Sequence, residues 1–308
     1  MNMKAVIYTK YGSPEVLKLK DIEKPKPKEN EILVKIHSAT VTTGDVRLRS
    51  SDFPPLFWLP ARLIFGLFKP KKKILGHEFA GVVEEVGNGV TDFTIGDNVF
   101  GTTTMLTTGS YAEYICVPQK WKNGVVGLKP ENLTHQESAA LPVGAMTALF
   151  LLEKANITKD QSVLIYGASG SVGSYAVQIA TILGASVTGV CSTANFEMVQ
   201  SLGAKNLIDY HKEDYSQRSE KFDIVFDAVG KTTEGKAKRV LKAKGNFVTV
   251  NMLTKENVEH LKLIKEWSDK GKLKPFIDKT FQLDDIQKAH EYVEKGHKRG
   301  NVVIEVSK

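Results

Sequence analysis

The chain has 308 residues and a mass of 34.0 kDa, and 42% of its residues are hydrophobic, without biased tracts, which suffices for two ordinary cores. Its net charge of +7 comes from dispersed lysines that mostly sit beside acids, as in KEDY and KENVEH, and even the run Lys69–Lys73 reads as a solubilising loop, so neither a nucleic-acid partner nor a membrane partner is expected. Cys116 and Cys191 lie far apart in apolar, strand-like runs, which excludes a disulfide framework and fits a cytoplasmic chain.

The N-terminus, MNMKAVIYTKYG, lacks the long apolar region of a signal peptide and reads as a strand. Up to about residue 120 further short β-rich runs follow, EILVKIHSATV, FAGVVEEVG, DNVFG and YAEYICVP, punctuated by Gly and Pro. This is an all-β module. Its most apolar stretch, Phe53 to Phe68, is interrupted by Pro54, Pro55, Pro60 and Arg62. It therefore cannot span lipid as one helix and is expected to form a buried or pocket-lining loop.

From about residue 135 helix alternates with strand, beginning with the helical stretch HQESAALPVGAMTALFLLEKA. SVLIYGA reads as a strand, SVGSYAVQIATILGA as a helix, SVTGVC as a strand, NFEMVQSLGA as a helix and NLIDY as a strand. FDIVFDAVG and GNFVTV complete the series, with TEGKAKRVLKAKG as a helix between them. Strands this short and continuously apolar suit a parallel sheet covered on both faces, so the class is α/β with a doubly wound second half. The tail, LDDIQKAHEYVEKGHKRGNVVIEV, reads as a helix and a strand.

The strand at Ser162 runs directly into Gly167, Gly170 and Gly173 at the mouth of a helix, the setting of a dinucleotide-binding turn. Ala168, Ser169, Gly170, Ser171, Val172 and Gly173 make the expected phosphate cradle. Gly170 admits the pyrophosphate, Gly173 lets helix and strand pack closely, and the helix N-terminus supplies free amides. The stretch after the second strand, Val190 to Asn195, carries no acid to repel a 2′-phosphate, and Ser192 and Thr193 offer hydroxyl donors.

The segment GHEFAGVVEEVG, Gly76 to Gly87, matches a GHE motif, and GASGSVG follows downstream. On these motifs the chain resembles, over nearly its whole length, the medium-chain dehydrogenase/reductase superfamily and its zinc-free quinone oxidoreductase-like branch of NADPH-dependent quinone and alkenal reductases. The resemblance implies a GroES-like β-rich catalytic domain over 1–122 and 273–308 and a Rossmann domain over 123–272, shortened after the strand 245–250. It also places Asn195 and Tyr210 near the adenosine phosphate, so NADPH is preferred over NADH. The Arg or Lys that relatives carry in this loop is replaced by Ala194 and Asn195, so a charge-assisted bond to the phosphate needs Lys205 or Arg218.

In the superfamily's zinc alcohol dehydrogenases the motif histidine is a metal ligand together with a cysteine three residues before an aspartate. In VTTGDVRLR the cysteine position is Thr42. A catalytic zinc needs about three protein ligands, so no metal is expected and His77 reads as a hydrogen-bonded histidine at a strand end. The chemistry left is hydride delivery to a small, electron-poor acceptor, a quinone, enal or enone.

Thr42, Asp45 and Arg47 fall where the family's active-site loop lies, and Arg47 either stabilises an enolate or faces solvent. Thr147 either lies near the nicotinamide or bonds back to a helix carbonyl. Val229 and Gly230 would border the nicotinamide ring. Phe53, Leu56, Phe57 and Trp58 either wall the acceptor pocket or pack in a core. Only Asn251 to Lys255 intervene where relatives carry a further strand, so a monomer or a non-standard homodimer is expected. The competing readings are a zinc-dependent alcohol dehydrogenase and a non-catalytic NADPH-binding sensor or scaffold.

Overall fold

The computed structural model describes residues 1–53 and 55–307, without the side chains of residues 55–57. In chain order its elements are β1 (Asn2–Ile7), β2 (Lys18–Glu23), β3 (Glu31–Thr40), α1 (Thr43–Ser50), α2 (Pro55–Phe65), β4 (Glu78–Val86), β5 (Asn98–Thr102), β6 (Tyr114–Pro118), β7 (Val126–Leu128) and α3 (His135–Ala139). Then come α4 (Pro142–Lys154), β8 (Ser162–Tyr166), α5 (Ser171–Ile182), β9 (Ser186–Cys191), α6 (Phe196–Ser201), β10 (Asn206–Asp209), β11 (Phe222–Asp227), α7 (Glu234–Lys238), β12 (Leu241–Thr249), α8 (Val258–Asp269), β13 (Ile277–Gln282), α9 (Ile286–Glu294) and β14 (Asn301–Glu305).

One unit comprises Met1–Val143 with Ile277–Lys308, and the other is Gly144–Phe276. The first crossing thus lies at 143 rather than 122, because β7 pairs with β5 and so keeps the chain in the first sheet. The long helix expected from His135 is two helices. Thr134 caps the first with a reciprocal Glu137 bond, and Pro142 opens the second at the position where a missing N–H costs nothing.

In the first unit β3 is the spine. The sheet runs β13-β14-β3-β4-β5-β7, with β6 also on β3, while β1 and β2 form a separate ribbon. The N-terminal half of β3 pairs with β6 and its C-terminal half with β14, and β4 follows its whole length across two register shifts, bulges that twist the strand enough to serve both partners. Ala39 lies opposite Phe79 and Glu78 opposite Thr102. The chain leaving β3, the chain entering β4 and the chain leaving β5 therefore meet at one end of the sheet.

The apolar stretch after Phe53 is a helix, not the expected loop. Pro55 stands at its first position, where proline is tolerated, and Pro60 removes only one internal hydrogen bond.

In the second unit all strands are parallel in the order β10-β9-β8-β11-β12, the first five places of the doubly wound order. β8, β9 and β11 are buried over most of their length, as a sheet covered on both faces requires. The helix expected over TEGKAKRVLKAKG shrinks to Glu234–Lys238. Leu241 onward pairs instead with β11, and sheet pairing overrides a lysine- and alanine-rich helix propensity. No sixth strand follows β12 among the described residues; Lys242 pairs with Asp223 of β11 at 2.7 Å, and the exposed Lys244 adds a charge to β12 that discourages edge-to-edge pairing.

Candidate active site and cofactor turn

The TTGD sequence has the spacing of a capping box, and it forms one at the start of α1. Thr42 Oγ1 accepts from Asp45 N at 3.1 Å, while Asp45 Oδ2 accepts from Thr42 N at 2.9 Å and from Thr42 Oγ1 at 2.6 Å. The other carboxylate oxygen accepts from Gly76 N at 3.0 Å and faces His77 Nδ1 at 2.7 Å. Gly76 has φ +99, and a Cβ there would meet Ser110 Oγ at 2.3 Å, so only glycine brings this amide to Asp45.

Asp45 is fully buried. Burial alone would raise its pKa, but the His77 imidazole and the bonds from His77 and Thr42 outweigh it and hold the carboxyl well below the usual range. His77 is thus the expected hydrogen-bonded histidine at a strand end, and its partner is a buried carboxylate. Glu78 is spent on structure, since its carboxylate accepts from Thr40 Oγ1 and, at 2.6 Å, from Val143 N.

His77 borders a cavity of about 180 Å³ lined also by Tyr8, Leu48, Ile64, Phe65, Lys71, Lys72, Leu75, Met105, Leu106 and Thr107. Tyr8 adds a phenol that burial pushes well up, so it stays a hydrogen-bond donor at every working pH. Beneath Asp45 lie Tyr111, fully buried, and His290, edge-on to it at a centroid distance of 5.7 Å. Burial pushes His290 down to about 4, so it is neutral.

The remaining expected residues separate. Arg47 is exposed and points to solvent, whereas Arg49 is buried, donating to Gly12 O at 3.0 Å and to Glu294 at 2.9 Å. Phe53 stacks on Phe65 and packs against the core. Trp58 is 42% exposed and lies under Arg62. The cavity residues that α2 supplies are instead Ile64 and Phe65. The side chains of Leu56 and Phe57 lie outside the described residues. Thr147 belongs to the other unit, half-buried in α4.

In the second unit Gly170 is the N-cap of α5, and a Cβ added there meets only Gly167 O, at 3.5 Å. The space in front of the helix is open. At Gly173 a Cβ would strike Gly167 O at 2.1 Å and Ala168 Cα at 2.9 Å, so this glycine seats the helix on the strand. Ser171 and Val172 form the first turn of α5, the end of the helix whose dipole favours an anion. Asn195 Nδ2 donates to Ser169 Oγ and Ser192 Oγ, both at 3.1 Å, joining the turn to the loop after β9.

Thr193 is not available to a phosphate as expected. Its hydroxyl and its amide both donate to Asp209, and with the His211 amide they depress that carboxyl. Nor does Arg218 reach in, because Glu213 holds it through both carboxylate oxygens. Tyr210 is exposed and tilted against His211. Val229 packs where a side chain at Gly167 would lie, and Val229 N, Gly230 N and Thr249 Oγ1 all donate to the buried Asp227.

Sequence reasoning missed Tyr8, Asp209 and Asp227. Only Asp227 left a signal, a strand-ending Asp three residues before a Gly, the pattern of an aspartate-capped turn.

The alcohol dehydrogenase GroES-like domain family matches residues 28–129, and the zinc-binding dehydrogenase family matches 171–271 and, in a second form, 250–304. The chain is 36% identical to a 2-methylene-furan-3-one reductase of Solanum lycopersicum and 32% identical to a chloroplastic NADPH-dependent alkenal/one oxidoreductase of Arabidopsis thaliana, in each case over 98% of this chain and 79% of the relative. A solved quinone oxidoreductase structure from Coxiella burnetii superposes with a TM-score of 0.84 at 29% identity, covering 100% of both chains. A GroES-like sheet with a glycine turn on a parallel second sheet, matched end to end by such relatives, makes this chain a nicotinamide-dependent oxidoreductase of the medium-chain dehydrogenase/reductase superfamily.

Proposed function

We propose that this protein reduces a quinone or an activated alkene with NADPH and without zinc, and that His77 is its proton donor. The observation that carries the reading is the Asp45–His77 contact of 2.7 Å at the wall of an otherwise largely apolar cavity. A buried carboxylate on Nδ1 fixes the orientation of the ring and leaves Nε2 for the acceptor.

The donor set does not suit a catalytic zinc. Thr42 stands where a thiolate would be, Asp45 and Glu78 are already hydrogen-bonded, and no group of three His, Cys, Asp or Glu side chains among the described residues could hold a metal.

The open space before Gly170 suits a dinucleotide pyrophosphate, and Ser169, Ser192 and Asn195 offer polar groups to a 2′-phosphate. With Thr193 tied to Asp209, preference for NADPH rests on Ser192 and Asn195, and it is modest. When bound, the reduced nicotinamide supplies the hydride. The chain's own residues do the rest: the apolar walls exclude water, Tyr8 donates to the acceptor's oxygen, and His77 gives up a proton that solvent replaces. Two free thiols, Cys116 and Cys191, support a reducing compartment, read here as the cytoplasm. The lysine-bearing edge of β12 supports a monomer or a dimer not paired through that edge.

Metal-stripped protein mixed with NADPH or NADH and a quinone, an enal, an enone or a simple aldehyde tests the reading. The expected result is loss of NADPH absorbance with the quinone or the alkenes, unaffected by chelator. Activity only on the aldehyde and only with added zinc would make it a zinc dehydrogenase, while cofactor binding without turnover on any acceptor would make it a sensor.

A further inference from the structure

We propose that helix α2 and the basic run after it dock this protein onto the surface of an anionic lipid bilayer. The dispersed charge of the whole chain argues against a membrane partner, but the tertiary structure concentrates two features that composition averages away. Leu59 and Leu63, one helical turn apart, are 54% and 59% exposed, Ile64 beside them is 55% exposed, and Phe68 just beyond the helix is 89% exposed. No other short stretch of the described chain gathers as many exposed large apolar side chains, and an exposed apolar group of this kind marks an interaction surface.

The second feature is charge. No acid occurs between Asp52 and Glu78, while Arg62, Lys69, Lys71, Lys72 and Lys73 all fall there. Lys69, Lys71 and Lys73 are exposed. An apolar helical face bordered by lysines is complementary to the boundary between acyl chains and anionic headgroups.

The patch is held in place from its inner side. The Arg62 guanidinium stacks on Tyr11 at 4.0 Å and donates to Ser51 Oγ at 3.0 Å, and the Tyr11 hydroxyl donates to Gly66 O at 2.8 Å. Bonds facing inward leave the leucines outward. A nucleic acid would match the lysines but not the leucines, and a symmetric contact with a second copy would set the basic run near its own like charges. A lipid surface answers both features. Ile64 and Phe65 also wall the His77 cavity, so a bilayer-dissolved acceptor would have an apolar route to it; that consequence alone rests on the reductase reading.

The test is flotation of the full chain with vesicles of phosphatidylcholine containing phosphatidylglycerol, against phosphatidylcholine alone, with brominated lipid quenching Trp58, the exposed one of three tryptophans. The expected result is salt-sensitive flotation with the anionic vesicles only. Leu63→Glu with Phe68→Glu should abolish it, and Lys69→Gln with Lys73→Gln should lower partitioning about five-fold per lysine. Both variants should keep the wild-type melting temperature and wild-type turnover of a water-soluble acceptor. Absence of flotation, or equal flotation of wild type and variants, overturns the proposal. A dimer seen by light scattering that Phe68→Glu dissolves, with no vesicle binding, assigns the face to a second copy instead. Flotation without turnover on any acceptor defeats the reductase reading and leaves the docking intact.

Discussion

The turn at Gly167–Gly173 and the pocket around His77 are built by opposite means. The turn is backbone: seven consecutive residues, small side chains and a helix N-terminus, with open space where Gly170 lacks a Cβ. The pocket is side chains drawn from six separated segments, at Tyr8, Leu48, Ile64–Phe65, Lys71–Lys72, Leu75 with His77, and Met105–Thr107, and the buried Asp45 anchors its histidine. A backbone site should fail by crowding. A side-chain site should fail by losing one charge or one proton.

The sharpest way to break that contrast is at His77. His77→Ala should lower kcat on an enone by about 10²–10⁴-fold, the usual worth of a positioned acid or base, while dinucleotide Kd measured by fluorescence stays unchanged. An unaltered kcat would remove His77 from the chemistry and return it to a structural role.

Two glycine substitutions divide the turn itself. Gly173→Ala drives a methyl into Gly167 O and should destabilise by about 1–3 kcal/mol, read as a lower melting temperature. Gly170→Ala meets nothing closer than 3.5 Å, so the melting temperature should hold and only cofactor affinity should fall. If both variants melt like wild type, the turn is not sterically limited.

The units should also part in acid. Burial holds His290 and His135 at about 4, well below the usual value near 6.5, and both lie in the first unit. As pH falls from about 6.5 towards 4 the unfolded chain takes up protons that the folded chain refuses, so the stability these residues contribute is present above that window and lost within it. Asp45 adds a further loss only below the usual carboxylate range, because its depressed pKa stabilises the fold above it. Hydrogen exchange should show first-unit amides losing protection between these limits before those of the second unit, and His290→Phe should flatten the slope. Equal loss in both units would contradict the assignment.

The smallest effect is expected at Arg47. Its exposure predicts that Arg47→Ala changes stability by no more than about 0.5 kcal/mol and leaves kcat nearly unchanged. A large fall in kcat would restore the enolate role that its position in the family loop suggests.

Most strands and the cofactor turn could be read directly from the chain, because their signals are local. Apolar runs such as SVLIY and a glycine spacing at a strand-to-helix junction each depend on neighbours within a few residues. Where reading failed, distant partners decided. The segment from Leu241 became strand because β11 offered pairing, the first unit kept the chain to Val143 because β7 found β5, and the apolar stretch after Phe53 became a helix despite its prolines.

The sequence by itself determined the α/β class, the parallel second sheet, the glycine turn and the absence of a thiolate at position 42, all properties of single residues or short windows. Only the tertiary structure decided that Asp45 reaches His77, that Tyr8 joins their cavity, that Asp209 takes the Thr193 hydroxyl and that the leucines of α2 face outward. Those facts depend on which strand ends lie side by side, as Ala39 does with Phe79. A hydrogen bond across 32 residues leaves no periodicity for a reader of the chain to find.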